Sequence, residues 1–125
     1  MAKLFRVILP VSNIEAAAKF YSELLADPGR RVSPGRHYFN CGGVILACFD
    51  PKADGDDFDP TPNPDHFYFA VKNLDATFER ACQLNCLEID PQIKPRPWGE
   101  RSFYAKDPFG NPICFVDEKT IFTGQ

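Results

Sequence analysis

The chain repeats itself. Offset by sixty residues, Leu9-Pro10-Val11-Ser12-Asn13-Ile14-Glu15-Ala16 matches Phe69-Ala70-Val71-Lys72-Asn73-Leu74-Asp75-Ala76 position by position. Each copy is an apolar, β-type stretch that runs into a polar helix entry. At 125 residues the sequence has the size of one compact domain, so the repeat predicts two modules sharing it and not two independent folds.

Each module reads β-α-β-β-β. In the first, Phe5-Arg6-Val7-Ile8-Leu9-Pro10-Val11 is strand-like, and Ser12 with Glu15 three positions on has the pattern of a capping box. A helix follows to about residue 26, with Ile14, Ala17, Ala18, Tyr21, Leu24 and Leu25 as its buried stripe, and Asp27-Pro28-Gly29 stops it. Two short β runs, 36–41 and 44–49, flank Gly42-Gly43, a pair suited to the positive φ of a tight hairpin, and a further short strand is expected near Arg31-Val32. The second module repeats the stripe at Leu74, Thr77, Phe78, Ala81 and Leu84 and ends in a hairpin turning at Asp107-Pro108-Phe109-Gly110. The predicted fold is α+β: two tandem modules, at about 4–50 and 66–118, whose curved mixed sheets enclose a cavity with the helices outside.

Residues 50–65 differ from both modules, with six Asp and four Pro in sixteen positions. They read as a solvated linker, because the acidic run lacks the spacing and terminal Glu of a calcium loop. A net charge of −3 and scattered Lys and Arg argue against nucleic acid and acidic membranes as partners. There is no apolar run of membrane-spanning length and no visible signal peptide, so the expected compartment is the cytoplasm. The five cysteines lack paired spacing and are expected to be buried, reduced thiols. Aromatic residues make up 14% of the chain, for which an aromatic-lined pocket is one explanation.

Several segments together carry a family resemblance. The doubled module, the helix entries at Val11-Ser12-Asn13-Ile14 and Val71-Lys72-Asn73-Leu74, Phe20-Tyr21, and Pro97-Trp98-Gly99-Glu100-Arg101-Ser102-Phe103-Tyr104 followed by Asp107-Pro108-Phe109-Gly110-Asn111 resemble the vicinal oxygen chelate superfamily. That superfamily holds glyoxalase I, the bleomycin-resistance proteins, extradiol dioxygenases and the fosfomycin-resistance transferases. The pattern is most similar to its small bacterial bleomycin-resistance-like members. For catalytic members the resemblance implies a divalent metal that chelates two neighbouring substrate oxygens. Its ligands sit in the first and last strands of each module, positions that carry Arg6, Ala47, His66 and Cys114 here. His66 alone is the expected type. His37 and Cys41 do not complete a site, being about 13 Å apart along one strand. No cofactor is therefore expected, with a divalent metal at His66 as the exception.

Strand alternation puts Arg6, Ile8, Pro10, Ile45, Ala47, Phe49, His66, Tyr68, Ala70, Pro112 and Cys114 on the cavity side, and Phe5, Val7, Leu9, Phe67, Phe69 and Val71 under the helices. The candidate ligand-binding residues are Arg6, Ile8, Phe49, His66, Tyr68, Trp98 and Cys114. Arg6 reads either as the partner of a ligand carboxylate or phosphate or as half of a structural ion pair. Trp98 reads as a stacking rim or a loop anchor, His66 as a pocket residue or a hydrogen-bonded core histidine, and Cys114 as a small buried residue. The functional expectation is a metal-free protein binding an aromatic or anionic small molecule. The alternatives are a metal-dependent lyase, glutathione transferase or dioxygenase of the same superfamily, and a domain whose interface matters more than its cavity. A homodimer is expected.

Overall fold

The computed structural model describes residues 1–124. The chain divides into two units inside the acidic segment, the first covering Met1–Asn63 and the second starting at Pro64. In the first unit the elements are β1 (Arg6–Pro10), α1 (Ile14–Leu25), β2 (Arg30–Ser33), β3 (Arg36–Cys41) and β4 (Val44–Phe49). Its sheet runs β1-β4-β3-β2, with β1 parallel to β4 and the other pairs antiparallel. The second unit contains β5 (Phe67–Val71), α2 (Leu74–Cys82), β6 (Glu88–Ile89), β7 (Lys94–Pro95), β8 (Arg101–Lys106) and β9 (Pro112–Asp117), then a single 3-10 turn, Glu118–Thr120. Its sheet runs β5-β9-β8-β6, again with a parallel first pair, and β7 pairs with β8. The repeat read from sequence is thus a repeat of topology, in an α+β chain with two mixed sheets. Among the described residues no helix is long and apolar enough to cross a membrane.

Both helices begin at the repeated asparagine, one residue later than the capping-box reading. Asn13 and Asn73 each accept a 3.0 Å hydrogen bond from the backbone N–H three residues on, at Ala16 and Ala76. Ser12 is too early for this role, because the Val11 N–H is still bonded to the Phe49 carbonyl at 2.9 Å and the chain has not yet turned. Lys72, at the equivalent place in the second module, has no acceptor to offer. The buried stripe of α1 is Ile14, Ala17, Phe20, Tyr21 and Leu24, so Phe20 belongs to it, whereas Ala18 and Leu25 are half-buried. α2 buries Leu74, Thr77 and Ala81, while Leu84 lies beyond its end.

Each helix covers one face of its sheet. Leu9, Phe39 and Leu46 pack beneath α1, and Tyr21 meets Phe39 with ring centroids 6.3 Å apart. In the second unit Phe69, Phe115 and Phe103 stack from neighbouring strands at 4.9 and 5.4 Å, and Phe78 of α2 meets Phe103 edge-on at 5.0 Å. Much of the phenylalanine that suggested an aromatic pocket is therefore core.

Four further expectations change. The second module's middle strand is split into β6 and β7, because Asp90 between them is drawn into side-chain bonds with the backbone N–H of Tyr104 at 2.9 Å and with Arg96 at 3.1 Å. The acidic segment is not wholly solvated. Asp50 is buried and accepts from the Ile14 N–H at 3.2 Å at the start of α1. Asp54 accepts from Ser33 Oγ at 2.8 Å and the Gly35 N–H at 2.7 Å, which ties the segment back to the β2–β3 turn. Phe5 precedes β1 and is exposed, where the Arg6 guanidinium lies over its ring at 5.1 Å. Of the five free thiols Cys48 and Cys114 are buried, Cys41 and Cys86 half-buried and Cys82 exposed, since α2 ends at Cys82 and leaves that side chain in solvent.

Candidate functional site

The sheet face turned away from the helix carries the candidate residues in each unit, and the strand register sets their order. On the first sheet, cross-strand rows run Arg6–Ile45–Asn40, Ile8–Ala47–Tyr38 and Pro10–Phe49–Arg36. On the second they run Tyr68–Cys114–Tyr104 and Ala70–Val116–Ser102, with Pro112 opposite Lys106 and His66 just ahead of β5. Ala47 and Cys114 hold the same place, a small side chain between two larger ones, and both are buried. Tyr38 and Tyr104 are likewise counterparts. His37, the other histidine, faces the helix side, where it meets Phe39 and its Nε2 hydrogen-bonds the Pro28 carbonyl at 2.9 Å.

On the second sheet three rings gather beside Cys114. His66 meets Tyr104 edge-on at 4.9 Å and Tyr68 at 6.1 Å, and Tyr68 meets Tyr104 at 6.4 Å. Burial, reinforced by the hydrogen bond with Tyr68, pushes the Tyr104 phenol up to about 12. Burial likewise pushes the Cys114 thiol up to about 11, which makes it a poor nucleophile. Arg96 lies over the Tyr104 ring at 4.6 Å and is committed to Ser102 Oγ at 2.9 Å and Asp90 at 3.1 Å. Its charge is spent on holding the strand break together.

Beside β5 and β9 is a pocket of about 540 Å³, lined by Tyr68, Phe69, Ala70, Trp98, Glu100, Val116, Ile121 and Phe122. Glu100 organises its rim. One carboxylate oxygen accepts from the Trp98 indole N–H at 2.7 Å and the other from the Phe122 backbone N–H at 2.9 Å. Trp98 therefore lines the pocket and is anchored in its loop, so its two readings are compatible.

On the first sheet Arg6 has no acidic partner among the described residues. Its Nη1 lies 3.5 Å from Tyr38 Oη, and its guanidinium sits over the Tyr38 ring at 5.8 Å. Ile8 is exposed on this face, and Phe49 carries Arg36 over its ring at 4.3 Å. Sequence reasoning did not single out Arg36, Tyr38, Tyr104, Glu100 or Phe122. Alternation across the Gly42-Gly43 hairpin is enough to place Arg36 and Tyr38 opposite Phe49 and Ala47. No comparable local signal points to Phe122.

A model of the Glyoxalase/Bleomycin resistance protein/Dioxygenase superfamily matches residues 3–115. The chain belongs to this superfamily. No curated protein matches it. Among solved structures, a glyoxalase-related enzyme from Fulvimarina pelagi is 18% identical with a TM-score of 0.76, over 94% of this chain and 88% of that one. A lactoylglutathione lyase from Agrobacterium tumefaciens is 20% identical with a TM-score of 0.68, covering 95% of this chain and 96% of the other. The oxidase ChaP-H2 is 21% identical with a TM-score of 0.72, covering 94% of each chain. At such identities the likeness is one of fold.

The metal that the superfamily resemblance implies is poorly matched by the residues at its four positions. The Arg6 guanidinium is a hydrogen-bond donor with no lone pair to give, and the Ala47 methyl has no donor atom. The Cys114 thiol sits in surroundings that disfavour its thiolate, the form that binds metals. His66 remains a good donor, but a catalytic site usually needs three protein ligands. The residues do not fit the group.

Proposed function

We propose that this superfamily member is a small-molecule-binding protein that works without the usual metal and takes an aromatic or anionic compound on its open sheet faces. The observation that carries the reading is the residue set Arg6, Ala47, His66 and Cys114, in which two of four positions offer no donor and one of those two carries a permanent positive charge. The aromatic lining around Tyr68 and Trp98 supports a ligand with an apolar, flat body.

His66 favours a second reading, a metal-dependent lyase, transferase or dioxygenase, because it keeps an imidazole exposed at a ligand position. Elemental analysis of gently purified, untagged protein separates the two. The metal-free reading expects well below one equivalent of Fe, Mn, Ni or Zn, before and after reconstitution. Near-stoichiometric metal that disappears in His66→Ala overturns it. The proposal extends to a cytoplasmic homodimer, and light scattering that returns the mass of a single 14.1 kDa chain at working concentration removes the dimer.

A further inference from the structure

The geometry points to an oxyanion subsite on the first sheet, made by Arg6, Arg36 and Tyr38, that takes the carboxylate of an aromatic acid. This rests on the metal-free reading above and names the ligand class that such a site selects.

Two guanidinium groups converge on one phenol oxygen. Tyr38 Oη lies 3.5 Å from Arg6 Nη1 and 3.3 Å from Arg36 Nη1. Arg36 and Tyr38 are two apart on β3, and Arg6 is two before Ile8, which shares a cross-strand row with Tyr38, so all three stand on the open face. Both contacts are long and end on a phenol oxygen, not on a carboxylate. A carboxylate seated beside that oxygen, between the two guanidiniums, accepts charge-assisted bonds, roughly twice as strong and near 2.7–2.9 Å, and the Tyr38 hydroxyl is a further donor within the site.

The charge there is only partly answered. Arg36 Nε faces Asp54 at 3.6 Å, and that carboxylate is shared with Ser33 and the Gly35 N–H, while Arg6 has no acidic partner among the described residues. Two guanidiniums against one carboxylate leave a single positive charge, which matches a monoanion better than a phosphate dianion. Ring faces support both cations, Tyr38 and Phe5 for Arg6 and Phe49 for Arg36. A guanidinium over a ring keeps its edge N–H groups available for the paired bonds a carboxylate accepts. Beside them Ile8 and Phe49 on the same face offer apolar surface to an aromatic body.

Calorimetric titration of the full chain with benzoate, benzamide and phenyl phosphate at neutral pH and low salt tests this. Benzoate is expected to bind saturably and benzamide about ten-fold more weakly, with phenyl phosphate no tighter than benzoate. Arg6→Gln is expected to weaken benzoate about ten-fold, to the level of benzamide, whereas Lys19→Gln, a charge-matched change at an exposed position of α1, leaves it unchanged. The subsite is overturned if benzoate and benzamide bind alike, if benzoate does not saturate, if phenyl phosphate binds about ten-fold tighter, or if Arg6→Gln has no effect. The benzoate to benzamide ratio is read on the unmodified protein, so a folding defect in the variant does not blur the result. Saturable binding of neutral aromatics that ignores Arg6 retires the subsite and leaves the metal-free reading standing. Metal uptake lost in His66→Ala retires that reading instead.

Discussion

Asn13 and Asn73 are the clearest case of one residue type doing the same work twice. Each cap satisfies a backbone N–H that otherwise lacks a partner, so Asn→Ala at either position is expected to cost about 1 kcal/mol in urea unfolding. Asn13→Ala should be no costlier than Asn73→Ala, because the Asp50 carboxylate still serves the Ile14 N–H in α1. Asp54 supplies the pH dependence. Its carboxyl is held below the ordinary 3.8 by the Ser33 hydroxyl and the Gly35 N–H, so it contributes stability above that value and loses it as the pH falls through the depressed one. The melting-temperature advantage of the native protein over Asp54→Asn should therefore persist from pH 7 to about 4 and shrink below. Gly35, which shares this knot, has no room for a side chain. A Cβ there would lie 2.3 Å from the Asp50 carbonyl oxygen, so Gly35→Ala is expected to lower the melting temperature clearly. The asparagine caps were visible in the sequence as a repeat, but the use of Asp50 and Asp54 was not, since their partners lie 36 and 19–21 residues away.

At the scale of elements, legibility follows the range of the interactions that make them. The hairpin at Gly42-Gly43 and the turn at residues 107–110 are written in a few adjacent residues, and both fold as read, with φ of 64° and 101° at the two glycines. The break between β6 and β7 is different in kind. It depends on Asp90 reaching Tyr104 and Arg96, fourteen and six residues away, and local propensity carries no trace of it. Helix stripes are intermediate. Periodicity found Ile14, Ala17, Tyr21 and Leu24, but which neighbour completes the stripe depends on what the sheet presents, and Phe20 meets Tyr21 edge-on at 4.9 Å in the core. The Phe69–Phe115–Phe103 stack ties three strands to one another. Phe115→Ala is expected to cost about 3–5 kcal/mol by chemical denaturation, through lost burial and the cavity left between two rings. A loss below about 1 kcal/mol would show that the stack relaxes around the gap.

For the whole molecule, the duplication had the greatest consequence. A sixty-residue period with matching strand and helix entries leaves few ways to bury two one-sided sheets, and the α+β topology follows from it. Superfamily membership was equally legible, because the segment from Trp98 to Phe115 combines a turn with strand residues in a distinctive order. So was the mismatch at the metal positions, which needs residue identities and no coordinates. What those residues touch was decided by tertiary structure. Arg6 could be read as an ion-pair partner or as an anion receptor, and its contact with the Tyr38 phenol oxygen and ring exists only once β1, β3 and β4 are paired. Glu100, with Trp98 two residues away and Phe122 twenty-two away, organises a pocket rim for the same reason. Alternation and turn chemistry are properties of neighbouring residues, and the chain states them directly. Charge pairing and pocket lining belong to residues far apart in sequence, and the fold decides which of them meet.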